Sequence, residues 1–147
     1  MRFYISTGIV HLERAAELAA VLEKRGHELT YDWMASGDIR REGGVRMSEV
    51  AFNELRAVRD AELVVVLLPG GKGTHVELGQ AIATRGNKRI IVWSEHGDEF
   101  SFDERTCVFY FHSCIERIAC PFEELIVKLD REQIGSDITK PHIRDDE

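Results

Sequence analysis

The sequence predicts an α/β fold in which a five-stranded parallel sheet is covered by helices on both faces. Strand-like apolar segments alternate along the chain with segments of helical spacing, about five times in succession. Such alternation is typical of parallel strands joined by helices. The most apolar segment, residues 63–68, has no polar interruption, as expected of a central strand covered on both faces. A length of 147 residues suits one domain.

The individual elements follow from local patterns of apolar residues, glycine and proline. The predicted strands are residues 3–6, 27–31, 63–68, 89–93 and 107–111. The predicted helices are residues 11–25, 47–60, 74–86 and 121–135. Apolar and polar residues alternate briefly over 27–31, which suits a strand near an edge of the sheet. Residues 38–46 are predicted as a loop. The elements together predict a flavodoxin-like or Rossmann-like three-layer sandwich over residues 1–135, followed by a polar tail over 136–147.

Composition excludes several classes of function. The chain has 26 acidic and 19 basic residues and a net charge of −7, which disfavours binding to a nucleic acid polymer or to an anionic membrane surface. Binding of one small phosphorylated molecule remains compatible with that charge. The longest apolar run is far shorter than a membrane span. The start of the chain lacks a signal-peptide pattern, so a cytoplasmic location is expected.

The three cysteines do not indicate a disulfide framework or a zinc site. Cys107, Cys114 and Cys120 are odd in number and contain no C-x-x-C pair. We expect buried thiols.

Candidate binding residues follow the predicted strands, because ligands of such sheets bind at the carboxyl ends of the strands. They are Ser6, Thr7, Gly8, Asp32, Trp33, Gly70, Gly71, Gly73 and Thr74. The first three either hold a sugar or a phosphate or form an ordinary helix cap. Trp33 either stacks on a base or packs in the core.

Residues 69–77, Pro-Gly-Gly-Lys-Gly-Thr-His-Val-Glu, are the most informative segment. The segment has neither P-loop nor dinucleotide-binding spacing. Thr74 is predicted to cap the following helix, with Glu77 three residues later as in a capping box. Glu77 is then either a capping acid or a nucleophile for a sugar carbon. In the first turn, the helix dipole is expected to keep its pKa from rising much.

Two other features have alternatives of their own. His75 follows the glycine turn without a visible partner, and we expect it to be an exposed helix residue. Arg40, Arg41 and Arg46 either close over a phosphate or belong to a solvated loop.

The same segment resembles two known families. Residues 69–77 match PGGxGTxxE, the signature of the "lonely guy" cytokinin-activating phosphoribohydrolases, and this resemblance is confined to the motif. The continuation Glu-Leu-Gly-Gln-Ala at 77–81 and the layout of residues 2–93 resemble the nucleoside 2-deoxyribosyltransferase superfamily. That superfamily includes the 2'-deoxynucleoside 5'-monophosphate N-glycosidases. Both families break the bond between a base and its sugar.

The resemblance implies a role for three residues. Glu77 matches the nucleophile that attacks the anomeric carbon, and Tyr4 matches the tyrosine of the first strand that positions the sugar and the nucleophile. Glu54 is the best match to a helical aspartate that contacts the sugar or the departing base, although glutamate is longer. Many transferases carry an aspartate within residues 69–72, where this chain has none, so hydrolysis and transfer both stay open.

The resemblance also implies a partner and an assembly. The expected ligand is a nucleoside or nucleotide, and the expected assembly is a homodimer or a higher homo-oligomer. The chemistry that the resemblance implies needs no metal or organic cofactor. Two alternatives remain at this point. One is a ribonucleoside 5'-monophosphate phosphoribohydrolase, and the other is a nucleotide-binding module without turnover.

Overall fold

A computed structural model describes residues 1–132. The strands are β1 (Arg2–Thr7), β2 (Glu28–Leu29), β3 (Leu63–Leu67), β4 (Arg89–Ser94) and β5 (Ile115–Ala119). The helices are α1 (Leu12–Lys24), α2 (Gly44–Asp60), α3 (Lys72–Ala83) and α4 (Phe122–Arg131). The tail over 136–147 and the predicted helix end at Gly135 lie outside the described residues.

All five strands are parallel, in the order β2-β1-β3-β4-β5. This is the flavodoxin-like order, so the predicted fold class is confirmed. The short strand β2 lies at an edge, and every residue of β3 is buried at the centre. Strands β1 and β3 are neighbours, with Ser6 paired to Val66 and Thr7 to Leu67. The chain reverses its direction of travel across the sheet between these two strands.

Helices cover both faces of the sheet in two pairs. Helix α1 packs against α4, and α2 packs against α3. Because parallel crossovers are right-handed, the reversal of strand order after β2 places α2 and α3 on the face opposite α1. The core lies between these layers and includes Phe3, Ile5, Leu63 and Trp93. Three half-buried, unpaired cysteines, at 107, 114 and 120, pack at its margin.

The prediction of the fifth strand was wrong. Val108–Phe111 forms a 3-10 turn, and the strand at that edge of the sheet is Ile115–Ala119. The apolar run at 107–111 does not pair with a neighbouring strand, and its Tyr110 side chain is buried by packing in the core. The true strand reads as polar because it carries Glu116 and Arg117. An edge strand tolerates such residues, and Glu116 is paired with Arg89 of β4.

Smaller differences concern the loop before α2. That helix begins at Gly44, three residues before the predicted start, and Arg40–Glu42 forms a 3-10 turn. Among the described residues, no helix is long and apolar enough to span a bilayer.

Candidate active site

A cleft of about 590 Å³ opens at the carboxyl ends of β1 and β3, where the strand order reverses. Its volume is in the range of small-molecule sites. Its lining comes from the segments that follow β1 and β2, from α2 and from the start of α3. The lining residues are Thr7, Gly8, Ile9, Trp33, Gly37, Asp38, Ile39, Arg40, Glu54, Gly71, Lys72, Gly73, Thr74 and Glu77.

Glu77 lies at the bottom of this cleft and is held by two side chains of β1. The Tyr4 hydroxyl donates to Oε1 of Glu77 at 2.8 Å, and the Ser6 hydroxyl donates to Oε2. Tyr4 and Ser6 are two positions apart on a strand, so their side chains point to the same face of the sheet. Both are fully buried, and Glu77 is 8% exposed. Glu77 is therefore fixed in orientation with its carboxylate at the bottom of the cleft.

The predicted capping box around Thr74 was wrong in its register. Helix α3 begins at Lys72 with Gly71 as its cap, and the Thr74 hydroxyl accepts from the Gly71 N–H at 3.1 Å. Glu77 is consequently in the second turn of the helix, where its carboxylate cannot reach the free N–H groups. The carboxylate turns toward β1 instead, so a capping role for Glu77 is excluded.

The expectation of an unshifted Glu77 pKa was also wrong. The pKa of Glu77 is raised to about 7, chiefly by burial and also by the nearby Glu54 carboxylate, against the hydrogen bonds from Ser6 and Tyr4. Burial also raises the pKa of Tyr4 far above its usual range, with Glu77 adding to the effect. Tyr4 is therefore a permanent hydrogen-bond donor, and Glu77 exchanges its proton near neutral pH.

Glu54 is the second carboxyl group of the cleft. It projects from α2, is half-buried and shares a hydrogen bond with Glu77. Burial raises the pKa of Glu54, and the hydrogen bond with Glu77 opposes that rise. Two carboxyl groups in contact disfavour double ionisation. The pair therefore retains one proton to higher pH than either group would alone.

The glycines of the turn before α3 serve different purposes. A Cβ on Gly70 would stand 2.5 Å from Cγ2 of Thr74, so this position has no room for a side chain. A Cβ on Gly71 or Gly73 would meet nothing within 4 Å. Both line the cleft, so their missing side chains leave space where a ligand can approach the backbone.

The three residues at the end of β1 divide their roles. Ser6 contacts Glu77. The Thr7 hydroxyl donates to the Leu67 carbonyl at 2.8 Å and ties β1 to β3. Gly8 faces the turn after β3, where its Cβ position is 3.5 Å from the Pro69 carbonyl oxygen. Thr7 and Gly8 line the cleft, and neither caps a helix with a side chain.

Trp33 and Asp32, predicted together, are separated by the structure. The Trp33 indole donates to the Ile5 carbonyl at 2.8 Å, and the ring is 9% exposed at the wall of the cleft. Asp32 is exposed, caps a short 3-10 turn by accepting from the Ala35 N–H at 3.2 Å, and does not line the cleft. The predicted binding role of Asp32 finds no contact here.

Sequence reasoning missed several lining residues. Asp38 and Ile39 stand in the segment predicted only as a loop, and Lys72 occupies a variable position of the motif. Arg40, noted as one of three loop arginines, reaches the cleft and is paired with Asp38. The available sequence signal for these residues was the pair of charged residues, Asp38 and Arg40, on either side of the apolar Ile39. These residues bring two cations to the mouth of the cleft beside the start of α3, an end that attracts anions.

His75 was expected to be exposed and unpartnered, and this was wrong. Its ring nitrogens contact the Gly71 carbonyl and the Tyr110 hydroxyl, each at 2.7 Å. Within residues 1–132, no group of three or more His, Cys, Asp or Glu side chains is arranged to hold a metal ion.

Comparison with known proteins identifies the fold. No protein-family profile matches the chain, and neither does any curated protein. Among solved structures, the chain is similar to the CMP N-glycosidase BcmB of Clostridium botulinum, with a TM-score of 0.62 at 20% sequence identity. The match covers 88% of this chain and 99% of that one. The two proteins share the α/β architecture over nearly their whole length.

Proposed function

We propose that this protein cleaves the N-glycosidic bond of a nucleoside or a nucleoside 5'-monophosphate, with Glu77 as the nucleophile. The observation that carries the proposal is a buried carboxylate, held by Tyr4 and Ser6, at the base of a cleft of nucleotide size. The shared fold with a CMP N-glycosidase supports the same chemistry, as does the resemblance of residues 69–81 to the deoxyribosyltransferase superfamily.

In the first step of this reaction, an ionised oxygen of Glu77 attacks the anomeric carbon. A carbon–oxygen bond forms, the carbon–nitrogen bond breaks, and its electron pair passes to the base. The departing base needs a proton, and Glu54 is the acid that faces the same cleft. The shifted pKa values favour the shared proton on Glu77. The reaction therefore begins from the form in which that proton has passed to Glu54 and Glu77 is anionic.

In the second step, water attacks the anomeric carbon of the glycosyl-enzyme. Glu54, now ionised, takes the proton of the water, the sugar is released and the Glu77 carboxylate is restored. A second base that entered in place of water would give transfer instead. Tyr4 and Ser6 keep their donors on the Glu77 oxygens throughout, which favours the carboxylate over the covalent ester.

A 5'-phosphate has a suitable place at the cleft mouth. Lys72 supplies positive charge, Arg40 presents a guanidinium that is also paired with Asp38, and the first N–H groups of α3 have no acceptors within the helix. Trp33 forms part of the wall and is able to contact a base. We therefore propose 5'-monophosphates as the preferred substrates.

The assembly that we propose is a homodimer or a higher homo-oligomer. Val76, next to His75 in α3, is exposed, and so are Val108 and Phe109, which precede Tyr110 in the sequence. The hydrogen bond between His75 and Tyr110 brings these two segments together. Apolar side chains grouped in this way favour cover by another protein surface. Light scattering of the wild type and of Phe109→Ser tests this, because loss of the interface would halve the mass or reduce it further.

The function is tested by incubating the protein with deoxynucleosides, ribonucleosides and the monophosphates of both, and measuring free base by chromatography. We expect base release that is abolished in Glu77→Gln and kept in Glu23→Gln, a matched change of an exposed glutamate on α1. Release from ribonucleoside monophosphates alone would favour the phosphoribohydrolase alternative. A ligand that raises Tm without any base release, or release undiminished in Glu77→Gln, would contradict the proposal.

A further inference from the structure

The imidazole of His75 joins two parts of the chain that are otherwise separate. It lies in the first turns of α3, and Tyr110 lies in the long connection between β4 and β5. A backbone carbonyl only accepts, so the contact of Nδ1 with the Gly71 oxygen requires a proton on Nδ1. Nε2 of the neutral ring is then an acceptor, and the Tyr110 hydroxyl donates to it.

Tyr110 is a rigid support for this contact. Its side chain is 2% exposed and packs edge-on against Phe100, with ring centroids 6.0 Å apart. Its carbonyl accepts from Nη1 of Arg117 on β5 at 3.0 Å. Burial raises the pKa of Tyr110 to about 12, so the phenol keeps its proton and remains a donor.

Gly71, at the other end of the contact, has little else to fix it. It is exposed, has no side chain, and its Cβ position would meet nothing within 4 Å. Its N–H donates to Thr74, and its carbonyl accepts from the His75 ring at 2.7 Å and from the His75 N–H at 3.4 Å. Because glycine is the most mobile residue of a chain, the orientation of this cleft-lining peptide depends on these few hydrogen bonds.

We propose that His75 is a positioning residue that couples the β4–β5 connection to the glycine turn and thereby sets the affinity of the cleft for its ligand. The proposal rests on the proposed function, and adds to it a residue that contacts neither the reacting atoms nor the Glu77 network. Loss of the contact is expected to weaken binding at the turn and to leave the chemistry at Glu77 in place. KM should therefore rise while kcat is kept.

Three variants separate the two hydrogen bonds. Tyr110→Phe removes only the hydroxyl that Nε2 accepts from. His75→Asn removes the same bond from the other side and keeps a donor for Gly71, because its amide nitrogen is as many bonds from Cα as Nδ1 is. His75→Ala removes both bonds. The matched control is His96→Asn, which changes an exposed histidine of the same connection for which no side-chain hydrogen bond is found within residues 1–132.

We expect KM to rise about fivefold in Tyr110→Phe and by a similar factor in His75→Asn, as for loss of one ordinary hydrogen bond. The double variant should show no further rise, because both changes remove one interaction. His75→Ala should raise KM more, and kcat should stay within about twofold in all of them. Unchanged KM in His75→Ala, a fall in kcat alone, or additive effects in the double variant would overturn the proposal.

A second measurement is independent of turnover, so that failure of the proposed function is recognised separately. ¹⁵N NMR of the His75 ring should show the Nδ1–H tautomer. The amide of Lys72, whose nitrogen is bonded to the Gly71 carbonyl carbon, should shift in Tyr110→Phe. If no substrate releases base, the proposed function fails, and these spectra still decide the coupling. The Nε2–H tautomer, or an unmoved Lys72 amide, would overturn it.

Discussion

The Tyr4 hydroxyl donates a 2.8 Å hydrogen bond to Oε1 of Glu77, although the two residues are 73 positions apart in the sequence. Both groups are buried, and the bond stabilises the ionised form of Glu77 against the effect of burial. The protonation state of Glu77 thus depends on a donor from β1, on desolvation and on Glu54 together.

Tyr4→Phe is expected to move the pH profile upward. The substitution removes a donor to the Glu77 carboxylate, so the pKa of Glu77 rises above its value of about 7 in the wild type. If base release requires ionised Glu77, the rising limb of kcat against pH shifts to higher pH. Rate measurements between pH 5 and pH 9 check this. Tyr31→Phe is the matched control, and an unshifted limb in Tyr4→Phe would contradict the assignment.

Glu54→Gln is expected to shift the same limb in the opposite direction. The Glu54 carboxylate raises the pKa of Glu77 through its charge and their hydrogen bond, so its removal lowers that pKa. The rate itself should fall by about 100-fold, as for loss of a general acid. The same pH series measures both effects. A profile shifted upward, or an undiminished rate, would exclude the acid role.

Glu77→Gln is expected to change the pH dependence of stability. The folded-state pKa of about 7 exceeds the ordinary value of 4.5, so protonation of Glu77 favours the folded state. This contribution is fully present below about pH 4.5 and is lost as the pH rises through 7. The free energy of unfolding of the variant relative to the wild type should therefore increase between pH 5 and pH 8.

The size of that change is at most about 3 kcal/mol, since each pKa unit corresponds to about 1.4 kcal/mol. Urea unfolding of both proteins at a series of pH values provides the measurement. The comparison cancels other titrating groups, because they are common to both proteins. A difference that stays constant with pH would show that Glu77 is not shifted.

Gly73→Ala is expected to impair binding without cost to the fold. Its added Cβ meets no neighbouring side chain within 4 Å, at a position that lines the cleft, so KM should rise about tenfold while Tm is kept or slightly raised. Gly44→Ala is the matched control, because it also adds a Cβ in open space in the first turn of a helix. Calorimetry and steady-state kinetics check both. Equal KM values in the two variants would contradict a ligand at this turn.

Lys72→Ala and Arg40→Ala are each expected to weaken binding of a nucleoside 5'-monophosphate without affecting binding of the nucleoside. KM for a nucleoside 5'-monophosphate should rise about tenfold in each, and KM for the matching nucleoside should not change. The difference should shrink as salt is added, because exposed charges are screened. Arg41→Ala, beside Arg40 and outside the cleft lining, is the control. Equal losses for both substrates would place the phosphate elsewhere.

Much of the fold was accessible from local patterns. The apolar run at 63–68 predicted the central strand, and the alternation of elements predicted the parallel sheet. The edge strand β5 could not be predicted from local patterns. Its polar residues Glu116 and Arg117 are stabilised by partners that only the folded sheet brings near, among them Arg89. The aromatic segment at 107–111 was mistaken for a strand since apolar side chains serve a packed turn equally well.

The site shows the same division. The glycine-rich turn after an apolar strand is a local feature that singled out Glu77, whereas Tyr4 and Glu54 were selected only through the resemblance to a known superfamily, and the catalytic roles of all three stay predictions. Their mutual contacts, the pKa of Glu77 and the contact of His75 with Tyr110 came from the folded chain. Electrostatics and hydrogen bonding act over a few ångströms in space. Residues distant in sequence therefore acquire these properties only when the strands and helices bring them together.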